Sequence, residues 1–316
     1  MTTATMRGGL MATEVLSGRK TSTRLLWLDL TRKCQLRCAH CYNGSGPAGG
    51  HGTMSRADWH GVLDQAAGGG VRNVQFIGGE PTMHPDFAEL ADHALNLGLG
   101  VEVFSNLVHV SARCWALFQR DRLSLATSYY SDRPPEHDAM TRRPSHRRTR
   151  ANIGRAVRLG IPLRVGIITR EGEAHVGSVR RDLEALGVTR IGVDHVRPFG
   201  RGGRGGRDLE PDLSELCGRC GDGAASVSPD GTVSPCVFSG FIDAGNVRTT
   251  PLADILGGPE MVRASAGIRD AVRESRGCYP DQAPCSPDNA PQQPCGPDSE
   301  RECSPGHPGT ECSPRN

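Results

Sequence analysis

The chain has 316 residues, with Lys plus Arg at 37 and Asp plus Glu at 35, a net charge of +2. No apolar run approaches the ~20 residues that span a membrane, the N-terminal stretch has no apolar core of a secretion signal, and the near-neutral charge argues against a protein built mainly to hold nucleic acid. Twelve cysteines in such a chain point to metal or catalysis rather than to disulfides, and to the cytoplasm.

Short apolar runs predict strands at Leu25–Leu30, Val71–Ile77, Val101–Ser105, Leu123–Ser128, Leu163–Thr169 and Arg190–Val196. Helical patterns fall between them. Trp59, Val62, Leu63 and Ala66 share one face over 56–67, with Ser55 and Asp58 placed as a capping pair. Phe87, Leu90, Ala94 and Leu97 repeat the pattern, as do Val176, Val179, Leu183 and Leu186, and Gly160 and Gly187 stand where helices end. Cys114 sits among Trp115, Leu117 and Phe118 and reads as a buried thiol. Six strand–helix units mean an α/β fold with a parallel sheet and right-handed crossovers. They fill about 175 residues, short of the roughly 250 of a closed eight-stranded barrel, so a partial (β/α)6 barrel is expected, with a doubly wound sheet as the alternative.

Thr31 to Tyr42 carries Cys34, Cys38 and Cys41 directly after the first strand. The loop at the C-terminal end of a parallel strand is where sites are built. Zinc would want a fourth ligand, and His40 next to Cys41 cannot easily converge with it on one ion. Three thiolates suit a cubane cluster with one iron left open for a substrate.

C-x3-C-x2-C followed by an aromatic residue, after the first strand of such a series, resembles the signature of the radical S-adenosylmethionine (SAM) superfamily. The resemblance implies that Cys34, Cys38 and Cys41 hold a [4Fe–4S] cluster whose open iron binds SAM. One electron then cleaves the sulfonium to a 5′-deoxyadenosyl radical that abstracts hydrogen from a substrate. Gly78-Gly79-Glu80-Pro81, beginning 37 residues after Cys41, resembles the family's GGEP motif. Its backbone and the Glu80 carboxylate would meet the SAM ammonium. Tyr42, Ser105, Asn106 and Ser128 fall where relatives contact SAM. In the segment His137–Arg150, Arg143 and Arg148 are candidates for the SAM carboxylate; the same arginines also read as a solvated helix face. Asp194 and Arg197-Pro198 resemble strand-end residues at a substrate mouth. No catalytic side chain is singled out.

Cys217-x2-Cys220-x10-Gly231-x4-Cys236 resembles the auxiliary-cluster region of the SPASM and twitch subfamilies. A hairpin of Ala225–Val227 and Thr232–Pro235, turning at Pro229-Asp-Gly231, is expected there. A small C-terminal iron–sulfur domain of hairpin and helix follows from the resemblance, with a zinc knuckle as the other reading. Segment 278–316 has nine prolines and five cysteines and no Leu, Ile, Val, Met, Phe or Trp, so it cannot build a core. Cys303 and Cys312 are the expected donors of the missing thiol. The tail's spacing departs from the family's second auxiliary motif, so one auxiliary cluster is expected. The resulting division is a disordered 1–22, a barrel over 23–200, a Gly/Arg-rich linker over 201–212, the auxiliary domain over 213–275 and the Cys/Pro-rich tail 276–316.

The function implied is maturation of a ribosomally synthesised peptide by crosslinking, epimerisation or oxidation, with an external one-electron donor such as flavodoxin or ferredoxin. A twitch-type dehydrogenase or epimerase of a small alcohol or sugar is the alternative substrate class. A non-enzymatic iron–sulfur or zinc regulator is the alternative from another class, and it leaves Gly78–Pro81 unexplained. RNA modification has the arginine runs in its favour and the near-zero charge and few aromatics against it.

Overall fold

Alternating residues of the early strands are large and apolar, and this alternation divides the sheet into two unlike faces. The computed structural model describes residues 21–169, 175–203 and 211–275. Within them, β1 (Leu25–Asp29), β2 (Asn73–Ile77), β3 (Gly100–Phe104), β4 (Leu123–Tyr129), β5 (Leu163–Thr169) and β6 (Arg190–His195) pair in parallel, each with the next. Leu26, Leu28, Val74, Phe76, Val101, Val103, Leu125, Val165 and Ile167 form one buried face of the principal core. The opposite face carries Gln75, Ile77, Glu102, Phe104, Ser128 and Arg164, a set too polar for a core and suited to a lined interior. The expected open, partial barrel accounts for this better than a sheet with helices on both faces.

Helices cover the apolar face. α1 (Arg56–Gly68) buries Trp59, Val62, Leu63 and Ala66, and Ser55 and Asp58 cap it reciprocally. α2 (Phe87–Asn96) buries Phe87, Leu90, Ala91 and Ala94. α3 (Ala112–Phe118), α4 (Pro134–Thr141) and α5 (His146–Arg158) follow, and α6 (Val176–Ala185) buries Val179 and Leu183. Cys114 is buried on α3 beside Trp115 and Phe118, as its apolar setting suggested.

The auxiliary hairpin does not stand apart from the barrel. β7 (Ala224–Val227) pairs in parallel with β1, Leu25 opposite Ala224 through Leu28 opposite Val227, and β8 (Val233–Ser234) pairs antiparallel with β7. One eight-stranded sheet results, in the order β6-β5-β4-β3-β2-β1-β7-β8. The hairpin of the region expected over 213–275 thus extends the barrel's own sheet, a pairing the sequence did not announce because strand alternation reports which face is buried, not which neighbour lies beside it. α7 (Leu252–Leu256) and α8 (Pro259–Ser275) complete the described chain. Ile268 and Val272 of α8 pack with Cys220, Cys236, Trp27 and Phe199 in a second core.

Candidate active site

The strand ends converge on the loop after β1. Gly79 N–H donates to Thr31 O (2.6 Å) and Glu80 N–H to Lys33 O (2.9 Å). A Cβ on Gly79 would lie 2.3 Å from Lys33 O, so only glycine permits this contact. On the other side Arg37 N–H donates to Thr141 O (3.1 Å) and Ala39 N–H to Met140 O (2.8 Å), at the end of α4.

A third support comes from Arg201. Its guanidinium donates to Cys38 O (2.8 Å), Gly44 O (2.7 Å) and Ser45 O (2.7 Å), and its backbone N–H to Cys41 O (2.9 Å). Gly200, at φ +55°, brings this arginine so close that a Cβ there would lie 2.2 Å from Tyr42 O. The first residues of the expected linker are therefore part of the site, and 204–210 lie outside the described residues. No local signal distinguishes such a Gly-Arg-Gly from a spacer.

Cys34, Cys38 and Cys41 line one cavity of about 180 Å³ together with Tyr42, Gly78, Gly79, Asn106 and Ser128. All three thiols are free. Burial pushes Cys34 and Cys38 up to about 12, so without metal both are protonated at neutral pH. Leu36 N–H points at Cys34 Sγ (3.4 Å) and the Asn106 amide lies 3.7 Å from it, both donors to a thiolate. Among the described residues no three His, Cys, Asp or Glu side chains gather as for a single ion. Three free thiols on a braced loop fit the three protein-held irons of a cubane, and exposed glycine backbone with amide and hydroxyl groups fits a polar cofactor beside it.

Five residues expected near the cofactor lie outside the cavity lining. Glu80 is wholly buried and turns away from the cavity. Its carboxylate accepts from Ser105 Oγ (2.9 Å), Asn106 N–H (2.8 Å) and Thr82 Oγ1 (2.7 Å). Both its oxygens are occupied by these bonds, and one of them holds the Asn106 backbone. Burial nevertheless leaves its carboxyl above the usual range. Ser105 and Pro81 are buried and absent from the lining. Arg143 is exposed and does not reach the cavity, nor does Arg148, because Arg142 takes a left-handed turn at the end of α4 and carries the chain outward. Asp194 and Arg197 do line the cavity, held together at 2.8 Å.

Sequence reading missed Tyr130, His137 and Phe238, all of which line the cavity. Tyr130 was findable, since period 2 places it on the face of Ser128. It shares the cavity wall with Cys38 and Ser128, and burial pushes its phenol well above the usual range. His137, which is buried, meets the rings of Tyr129, Tyr130 and His146 tilted or edge-on at 5.1–5.3 Å. Burial, then the neighbouring His146, holds it down at about 4 against 6.5 for a free imidazole. The folded chain therefore binds fewer protons here than the unfolded one. Stability present above the unfolded value is lost as pH falls from about 6.5 toward 4, by up to ~3 kcal/mol. Replacing His137 by Phe should flatten the fall of the urea midpoint between pH 7 and 5. It should not abolish it, because His146 and His84 are also held down by burial.

The second sulfur site adjoins the first. Cys217 Sγ lies 3.9 Å from Cys220 Sγ, which donates to Cys236 Sγ at 3.2 Å. Contacts with Cys217 and Cys236 hold Cys220 up as the thiol, and the bond it donates holds Cys236 down. Val237 and Phe238, directly after Cys236, line the cavity, and Phe238 meets Tyr42 edge-on at 4.9 Å. Cys303 and Cys312 lie outside the described residues.

Comparison with known proteins agrees with this arrangement. Residues 28–183 match the family model of the radical SAM superfamily, and residues 217–286 match that of an iron–sulfur cluster-binding domain. The chain is 28% identical over 293 residues to a PqqA peptide cyclase of Xanthomonas campestris pv. campestris, covering 79% of this chain and 78% of that one. Its fold is similar to that of Streptococcus suis SuiB bound to S-adenosylmethionine, with a TM-score of 0.64, 16% identity, and 78% and 68% of the two chains covered. It is also similar to anSMEcpe with bound AdoMet and the Cp18Cys peptide, with a TM-score of 0.62, 13% identity, and 80% and 85% covered. The three thiols on a braced loop, the glycine pair packed against them and the adjoining second sulfur site thus have one explanation: the chain belongs to the radical SAM superfamily, in its branch with a C-terminal iron–sulfur (SPASM) domain.

Proposed function

We propose that the chain matures a ribosomally made peptide. The observation that carries this reading is a single cavity walled on one side by Cys34, Cys38 and Cys41 and on the other by the residues that follow Cys236. Similarity to PqqA peptide cyclases supports a peptide as the substrate class. When bound, the cluster and SAM supply a 5′-deoxyadenosyl radical that removes hydrogen from the substrate. Cys34, Cys38 and Cys41 hold that cluster. Gly78, Gly79, Asn106 and Ser128 offer polar contacts to SAM, Tyr42 and Phe238 give an apolar wall, and Glu80 fixes Asn106. Asp194 and Arg197 face the substrate. Cys217, Cys220 and Cys236 hold an auxiliary cluster, and a thiol of 276–316 completes it. The iron–sulfur domain match takes in Cys278 and Cys285 and stops short of Cys303 and Cys312. α8 packs against Cys220 and Cys236, and Cys278 is the tail cysteine nearest to it in sequence.

Among the described residues no helix is long and apolar enough to cross a membrane, and the chain is proposed to work in the cytoplasm with an external one-electron donor. The test is anaerobic reconstitution with reductant, SAM and a short peptide encoded beside the gene, read by mass spectrometry. A mass change in the peptide with about eight irons per chain, two cubanes, is expected. Abundant 5′-deoxyadenosine beside an unchanged peptide, for every such candidate, would point to another substrate class.

A further inference from the structure

The outer side of the cluster loop carries a group of arginines that the site does not use. Arg37 lies between Cys34 and Cys38, Arg142 and Arg143 follow α4, and Arg147 and Arg148 open α5. All five are exposed, none lines the cavity, and none has a side-chain partner among the described residues. The backbone bonds of Arg37 to Thr141 and of Ala39 to Met140 tie this surface directly to the loop that carries the thiols. Cys38 in that loop is half-buried. The nearby carboxylate of Asp138 does not neutralise the patch by pairing, since it accepts the backbone N–H groups of Ser145 (2.8 Å) and His146 (2.9 Å).

The fold does not ask for these charges. α5 begins with His146, Arg147 and Arg148 and has no acid in its first turn. Cations at a helix N-terminus oppose the helix dipole, at ~0.3–1 kcal/mol each. Arg142 holds φ +53°, a conformation that glycine or asparagine adopts at less strain. Positive charge is thus kept at several positions where local stability favours something else. A partner that recognises it gives the reason.

We propose that this face docks the reductant, an acidic one-electron carrier protein. The proposal rests on the reading of Cys34, Cys38 and Cys41 as cluster ligands. A substrate has to enter the cavity, whereas an electron donor has only to approach the cluster from outside. This patch offers the second kind of access without the first. In the encounter a flavin hydroquinone loses one electron and becomes the semiquinone, and the oxidised cluster takes up that electron. Complementary charge raises the rate of such an encounter about 10- to 1,000-fold at low salt, and added salt screens the effect.

The experiment uses the reconstituted full chain and flavodoxin hydroquinone, with bleaching of the cluster absorbance followed by stopped flow. The double variant Arg142→Glu, Arg147→Glu should slow the bimolecular step about tenfold or more and remove the salt dependence seen in the parent. Arg142→Lys with Arg147→Lys should retain both the rate and its salt dependence. With dithionite as reductant, iron content, cluster bleaching and 5′-deoxyadenosine formation should match the parent in both. An unchanged rate with flavodoxin at low salt overturns the proposal. So does a defect confined to the KM for peptide with dithionite present, which would assign the face to an acidic peptide segment. A parent chain that binds iron but cleaves no SAM with dithionite would instead overturn the cluster reading itself.

Discussion

Replacing Arg201 by Ala should strip iron from the first sulfur site while leaving the second loaded. The guanidinium holds three carbonyls of the cluster loop at 2.7–2.8 Å, and among the described residues no other side chain is bonded to those of Gly44 and Ser45. Hydrogen bonds from a charged donor contribute about 1.5–3 kcal/mol each and do not add fully, so a combined loss of ~2–4 kcal/mol is expected. That loss falls on the geometry of residues 38–45 and not on the sheet, whose ladder does not involve Arg201. SAM cleavage should drop about 100-fold, the melting temperature of the protein should fall by several degrees, and roughly four irons per chain should remain. Lysine should rescue only in part, because one ammonium cannot serve three carbonyls in the guanidinium's fork. Normal iron and normal turnover in the alanine variant would show that the loop is held by Gly79, Met140 and Thr141 alone.

Arg164→Met should cause the largest loss of global stability. Arg164 is 1% exposed and grips Glu102 through both nitrogens, Nε to Oε2 at 2.7 Å and Nη2 to Oε1 at 2.6 Å. Its guanidinium also lies over the Phe104 ring at 5.5 Å. The Gln75 amide bonds the same carboxylate. Removing the arginine leaves Glu102 with Gln75 and only partial access to water, its side chain being 21% exposed, so the cost should approach the ~3–5 kcal/mol of breaking one half of a buried pair. The double variant Arg164→Met, Glu102→Leu should regain most of it, because the stranded charge is gone. Urea unfolding of the three proteins measures both numbers. A single variant within ~1 kcal/mol of the parent would mean that Glu102, itself partly exposed, is solvated enough to stand alone.

Which parts of this arrangement could be read from the chain depends on the range of the interactions. The six barrel strands and the helices α1, α2 and α6 were legible because burial of one face imposes a period on neighbouring residues. The Cys34–Cys41 loop and Gly78-Gly79 were legible because a thiol set and a close backbone approach each demand a residue type with no substitute. α3 and α4 were not legible as helices, since such short segments show little apolar stripe, whereas α5 was signalled only by Gly160 at its end and by the arginines of a solvated face. Glu80 was expected at the ligand and instead holds Asn106, because the direction of a side chain is fixed by partners 25 and 26 residues away. The clamp by Arg201 reaches back 163 residues to Cys38, and nothing in a Gly-Arg-Gly run announces it.

The pairing of β7 with β1 has a consequence for how this protein can be divided. Without the hairpin, β1 would present a row of unpaired N–H and C=O groups along Leu25–Leu28, on a strand whose side chains are almost entirely apolar. Such an edge is a template for association with other chains. The strand that delivers the polypeptide to Cys34 is therefore shielded by the element that carries Cys236, and a barrel cut free of residues 211–275 would be left with an adhesive margin. The cofactor-bearing C-terminal region thus also serves as the guard of its neighbour's solubility.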